Sequence, residues 1–165
     1  MGNAGQGDVV VSDAKVRDAR PGDEDALFAL VQQLGHAFTP ERAAYDATLA
    51  SYFAGEQPSV LLLVVDDGSP RLGGYALTTI VPLLATNGPS AQLQEIVVDE
   101  GARGRDYGTL LVHAVEAACE ERGVTQLTVA SRRSGGFYDR LGFTDAAEYM
   151  RRFFPADRGA ARVLP

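Results

Sequence analysis

Between two apolar runs the chain sets a short, basic, glycine-rich loop, and this arrangement constrains the fold more than any other feature. Residues 91–99 read as a central strand, while Leu110, Leu111, Ala114, Val115, Ala118 and Cys119 recur at helical spacing until Gly123. The residues between them, Glu100-Gly-Ala-Arg-Gly-Arg-Asp-Tyr-Gly-Thr109, hold three glycines and two arginines. A strand feeding a helix through such a loop brings free backbone N–H groups, the positive end of a helix dipole and the guanidiniums of Arg103 and Arg105 to one place, which suits a phosphate. The loop lacks the Gly-Lys-Ser/Thr ending of a nucleotide P-loop and the full Gly-x-Gly-x-x-Gly of a dinucleotide fold.

Around this unit the chain alternates strand and helix signals. Residues 15–19 form a short first strand, and Pro21-Gly22-Asp23 then supplies a turn and an acidic N-cap. Leu27, Leu30, Val31 and Leu34 make an apolar stripe ended by Gly35; Thr39-Pro40 opens a second helix whose Tyr45, Leu49, Tyr52 and Phe53 share a face. Residues 59–65 and 74–81 flank the Asp67-Gly68 turn and predict a hairpin. Beyond the glycine loop and its helix come a strand over 124–130, a short helix over 135–141 and a final strand over 148–154. This order predicts a single α/β domain over 15–154, a mixed sheet flanked by helices on both faces, between a disordered tail over 1–14 and another over 155–165.

Composition narrows the function classes. With 165 residues one domain is expected, and the hydrophobic fraction of 45% suits a folded core. Fifteen Lys and Arg against 22 Asp and Glu give a formal charge of −7, which opposes binding to nucleic acid or anionic lipid. One cysteine, Cys119, with two separated histidines, His36 and His113, cannot build a Cys/His zinc cage, so no metal is expected. No apolar run approaches a membrane span, the start lacks a secretory signal, and the predicted location is the cytoplasm.

Arg103-Gly-Arg-Asp-Tyr-Gly108 resembles the Arg/Gln-x-x-Gly-x-Gly/Ala signature of the GNAT superfamily of N-acetyltransferases at its first and last positions, with Asp106 where the family has glycine. Gly136-Phe-Tyr-Asp-Arg-Leu-Gly-Phe143 resembles the family's second mark, Phe-Tyr-x-x-x-Gly-Phe, and stands in the expected order. Glucosamine-6-phosphate N-acetyltransferases are similar in tolerating a non-glycine at that loop position and in the Gly-Phe-Tyr run; the acceptor is not assigned by this.

The resemblance implies an enzyme that moves an acetyl group from acetyl-CoA to a primary amine, small molecule or peptide, by direct attack in a ternary complex. Arg103, Gly104, Arg105, Asp106, Tyr107, Gly108 and Thr109 would meet the pyrophosphate, and backbone groups of Ile96, Val97 and Val98 the pantetheine arm and acetyl carbonyl. Glu95 would be the base, directly or through water, and Tyr138 would give a proton to the departing thiolate. Strand alternation turns Gln94 away from Glu95. The resemblance leaves room for a homodimer, many relatives being dimers.

Each residue also has a plainer role open to it. Arg103 and Arg105 can be a solvated turn, Glu95 a sheet carboxylate, and Tyr138 core. Asp106 is expected in the first helical turn facing water, so that Asp106→Gly loses about 1 kcal/mol of stability and leaves CoA affinity unchanged. His113 falls opposite the apolar stripe, Cys119 on it, and His36 in a loop. Arg132-Arg133 flanks either the adenosine 3′-phosphate or solvent. Specificity is expected in the first two helices and in the connection over 83–90. A non-catalytic acyl-CoA-binding or regulatory module with the same fold, and a longer acyl donor, are the alternatives.

Overall fold

The computed structural model describes residues 13–35, 38–131 and 136–154, in two units, Met1–Val129 and Ala130–Pro165. In the first, β-branched and aliphatic residues concentrate in Val60–Asp66, here β2, which pairs with β1 (Lys15–Asp18) on one side and β3 (Gly74–Pro82) on the other. β4 (Pro89–Val98) continues the antiparallel run, and β5 (Gln126–Val129) closes the order β1-β2-β3-β4-β5 by pairing parallel to β4. A parallel neighbour requires a crossover, and the helix α3 (Tyr107–Glu121) supplies it.

Alternation along the strands sorts two cores. Val64, Tyr75 and Val97 pack with Leu27 and Leu30 of α1 (Glu24–Val31) and Leu49 of α2 (Arg42–Phe53). The opposite face lies under α3: a Cβ placed on Gly74 would lie 3.3 Å from the Leu111 Cδ1 atom and only 2.6 Å from the Val97 carbonyl oxygen, so glycine alone fits between strand and helix there. Leu111, Val112, Val115 and Cys119 give α3 its buried stripe, and burial pushes the Cys119 thiol pKa up. His113 lies on the exposed side of the helix, 2.9 Å from Glu116. α2 is fixed to α1 by the Tyr45 hydroxyl, which donates to the Glu24 carbonyl at 2.8 Å, and by ring contact between Phe28 and Tyr45 at 4.9 Å.

The Asp23 cap takes an unexpected form. Asp23 stands at the N-cap of α1, but its carboxylate makes no capping bond. Instead it accepts two hydrogen bonds from Arg17, at 2.8 and 2.9 Å, and one from the Arg20 backbone N–H. Arg17 also donates to Asp66 at 2.8 Å, so one guanidinium ties β1, β2 and the start of α1 together. An arginine fork on β1, six residues before Asp23, outcompetes the helix for a nearly buried carboxylate because charge-assisted bonds are the stronger kind.

The second unit contains one short helix among its described residues, α4 (Phe137–Arg140). The strand predicted over 148–154 is absent: these residues lie in no strand, and Tyr149, Met150, Phe153 and Phe154 are exposed. Apolar and charged residues come in pairs there, Tyr149-Met150, Arg151-Arg152 and Phe153-Phe154, so a strand would have no apolar face to bury. Arg151 and Arg152 instead lie over the rings of Phe153 and Phe154, 4.5 and 5.8 Å from their centres.

Candidate active site

β4 carries one residue too many for its partner. Leu77 of β3 pairs with Glu95 and the next residue, Thr78, with Leu93, so Gln94 is an extra residue that bulges the strand. The bulge has two consequences. First, it corrects the expectation that Gln94 faces away: its amide donates to the Thr79 hydroxyl at 2.8 Å, and Thr79 follows Tyr75 and Leu77 on one face of β3, so Gln94 lies on the Glu95 side. Second, it separates β4 from β5, whose pairing runs only from Ser90 to Leu93.

Past the bulge, β4 has one bonded side. The Asp99 N–H donates to the Gly73 carbonyl, which sets the phase of the ladder: the Val97/Tyr75 and Glu95/Leu77 pairs exchange bonds, and Ile96 and Val98 direct their backbone groups to the other side. Among the described residues no strand pairs with that side. Of the three residues expected to offer backbone groups to an acyl donor, Ile96 and Val98 have them available, whereas those of Val97 are engaged by Tyr75.

The strand leads through a 3₁₀ turn, Glu100–Ala102, into the loop that starts α3. Asp99 holds this turn, accepting from the Gly101 N–H at 3.1 Å, and is itself held by Gln33 at the end of α1. The Gln33 amide donates to Asp99 Oδ1 at 2.9 Å, and its oxygen accepts the Glu100 N–H at 2.9 Å. Arg103 and Arg105 are exposed. Arg105 lies 3.7 Å from Asp67, in the β2–β3 turn, and the Tyr107 hydroxyl donates to the same carboxylate at 3.2 Å. The Ser69 side chain first, then the Ser69 N–H, Tyr107 and Arg105, hold the Asp67 pKa below the usual carboxylate range against the opposing effect of burial. Tyr107 is buried against Gly73, where a Cβ would sit 2.5 Å from its ring.

Asp106 departs from expectation. It is the N-cap of α3, outside the first turn, with a left-handed backbone at φ +58° and no side-chain capping bond. Its side chain is exposed, as expected, but this is a conformation in which glycine is at ease and an L-residue is strained. The first helical bond runs from Leu110 to the Asp106 carbonyl, so the N–H groups of Gly108 and Thr109 have no acceptor within the helix.

Glu95 faces a cavity of about 480 Å³ between the sheet and the first two helices. Its Oε2 accepts from the Tyr75 hydroxyl at 2.9 Å. Tyr75 is 1% exposed, and burial together with the adjacent carboxylate raises its pKa far above the usual phenol value. Sequence reasoning missed Tyr75; its one signal was a polar-tipped aromatic inside an apolar strand. The connection over 83–90 contributes nothing to the described lining, which comes from α1, α2, the chain between them, and the sheet.

Tyr138, in the second unit, packs edge-on against Phe137 and Phe143, at 5.0 and 5.4 Å between ring centres. Burial raises its pKa, so the phenol stays protonated at neutral pH. His36 and the Arg132-Arg133 pair lie outside the described residues. Among the described residues no group of three or more His, Cys, Asp or Glu is arranged to hold a metal, and no helix is long and apolar enough to cross a membrane.

The fold recurs in known proteins. Glucosamine-6-phosphate N-acetyltransferase from Arabidopsis thaliana has the same fold at a TM-score of 0.74, with 18% identity and 86% of this chain and 99% of that one covered. AAC(6')-Iy, solved in complex with the bisubstrate analog CoA-S-monomethyl-acetylneamine, gives 0.72 at 16% identity, covering 88% and 100%. In sequence, 66 residues, 40% of this chain, are 44% identical to a mycothiol acetyltransferase of Acidothermus cellulolyticus, a match spanning 19% of that protein. The pattern of the Acetyltransferase (GNAT) family matches residues 27–143, well over half of the sequence, and the chain belongs to that family.

Proposed function

We propose that the chain is an acetyl-CoA-dependent N-acetyltransferase that transfers the acetyl group to a primary amine by direct attack within a ternary complex. The observation that carries this reading is the β4 bulge, which sets the Glu95 carboxylate on a cavity while freeing the backbone of Ile96 and Val98 along the same strand. The amine and the thioester would thus meet across a single bend of chain. AAC(6')-Iy in complex with a CoA bisubstrate analog supports the choice of donor.

The residues fit such a donor. Arg103, Gly104, Arg105 and the Gly108 and Thr109 N–H groups offer charge and free donors to a pyrophosphate, in a loop that runs on from β4. Glu95 Oε1, which accepts no hydrogen bond among the described residues, takes the proton of the incoming ammonium directly or through water. The amine nitrogen then bonds to the acetyl carbon, the carbon–sulfur bond breaks, and the negative charge on the carbonyl oxygen is met by backbone N–H groups of the free edge. As the adduct collapses the nitrogen gives up its second proton to solvent, the departing thiolate takes a proton from Tyr138, and the Tyr138 phenolate recovers one from solvent. The reading includes a cytoplasmic location.

Glu95→Gln tests it, because the amide oxygen still accepts from Tyr75 while no base remains. Turnover with acetyl-CoA should fall on the order of 10²-fold at pH 7, with acetyl-CoA affinity unchanged by calorimetry, and should recover towards high pH as the amine loses its own proton. Full activity in the variant overturns the role of Glu95. Acetyl-CoA binding by the unaltered chain without transfer to any amine identifies a CoA-binding module instead.

A further inference from the structure

We infer that the acceptor is a primary amine carried on an apolar or aromatic body, and that α2 selects it. The inference rests on the acetyl-transfer reading and deepens it by naming the chemistry that the cavity beside Glu95 accepts. The cavity is of the size that holds a small organic molecule. Its walls are Leu27 and Val31 from α1, Leu49 from α2 and Leu62 and Leu77 from the sheet.

Tyr45, Tyr52 and Tyr75 complete the wall, and the hydroxyls of two of them are already taken up by other groups of the protein. Tyr45 donates its hydroxyl to the Glu24 carbonyl and Tyr75 donates to Glu95. The charges within reach are carboxylates: Glu95 on the sheet and Glu41 at the start of α2. Among the described lining residues there is no Lys, Arg or His. Arg42, next in sequence to the lining residue Glu41, is bound to Asp25 at 2.7 Å and to Asp46 at 2.8 Å, with its guanidinium over the Phe28 and Tyr45 rings.

A cavity with apolar walls and carboxylate ends suits a molecule with one cationic end and an apolar remainder. A sugar phosphate would bring a dianion to two carboxylates with no cation to receive it, and its hydroxyls would lose water against leucine side chains. A linear polyamine would carry further charges into the same walls. The amine nitrogen lies at Glu95, where proton removal is needed, and the body lies between Leu49, Tyr52 and Leu62.

The test compares 2-phenylethylamine, spermidine and glucosamine 6-phosphate at saturating acetyl-CoA with the full chain. The expected result is a kcat/KM for 2-phenylethylamine at least tenfold above either of the others. Preference for spermidine or glucosamine 6-phosphate, or equal rates, overturns the inference and leaves acetyl transfer standing; transfer to none of the three overturns both. Thr48→Arg, on the exposed side of α2 at the cavity, adds a cation with little risk to the fold. It should raise KM for 2-phenylethylamine at least tenfold, with acetyl-CoA affinity and melting temperature unchanged. An unaltered KM shows that the acceptor sits elsewhere.

Discussion

Arg105 faces Asp67 at 3.7 Å with over half of its side chain exposed, a pair of the kind worth about 1 kcal/mol or less. A pyrophosphate offers more charge, so Arg105 can exchange its partner at little cost, and Asp67 keeps Tyr107 in either state. Arg103 is exposed and extended, at φ −61° and ψ 149°. Arg103→Ala should weaken acetyl-CoA about tenfold in calorimetry, the size expected for one charge-assisted contact; unchanged affinity would remove the loop from the donor site. For Tyr138, burial keeps the proton on the phenol, the form a thiolate needs. Tyr138→Phe retains the ring contacts with Phe137 and Phe143, so kcat should drop on the order of 10²-fold with acetyl-CoA binding intact, whereas equal turnover would reduce Tyr138 to packing. Side chains such as Arg103, Glu95 and Tyr138 could be singled out because their chemistry is written in their type. Tyr75 could not, since its importance comes from the carboxylate it reaches across the sheet.

The start of α3 reverses the sign of one expectation. Asp106→Gly in a helical turn would destabilise, but a cap at φ +58° is strained for any L-residue. Relief of that strain outweighs the extra freedom glycine gives the unfolded chain, and Asp106→Gly should raise stability on the order of 0.5 kcal/mol, read as a higher melting temperature with acetyl-CoA affinity unchanged. A lower melting temperature would mean that the carboxylate has a partner not provided by the helix. The periodicity of Leu110, Leu111, Val115 and Cys119 made α3 legible, and the Asp67-Gly68 turn did the same for the β2–β3 hairpin. The bulge at Gln94 was not legible, because an inserted residue leaves no mark in composition; it exists only as a mismatch between β4 and the count of residues in β3. The strand expected over 148–154 is absent for a related reason, since the paired pattern of its residues denies one face to the core.

At the scale of the whole molecule, the order of elements from β1 to α4, the mixed sheet and the helices that cover it were readable in advance, since each rests on local periodicity and turn residues. What joins them is long-range and was not readable. Arg17 is the clearest case: it lowers the pKa of Asp23 and Asp66 by direct hydrogen bonds, while burial of Asp23 works the other way. Groups whose pKa is lower in the folded state add stability above the unfolded value and lose it as pH falls through the folded one. Resistance to urea should therefore be insensitive to this cluster from pH 7 to 5 and fall below about pH 4. Arg17→Met should cost about 2 kcal/mol at pH 7 and flatten the acid limb; an acid limb as steep as before would assign the loss to other carboxylates. Gln33 has a different kind of reach. One face of α1 walls the cavity, and the side-chain amide of Gln33 beyond its last turn grips both Asp99 and the Glu100 N–H where the loop into α3 begins. Anything that settles the loop thereby settles the helix, and the reverse holds with equal energy. Donor and acceptor should each tighten the other's binding, and a chain charged with acetyl-CoA should meet its amine already shaped for it.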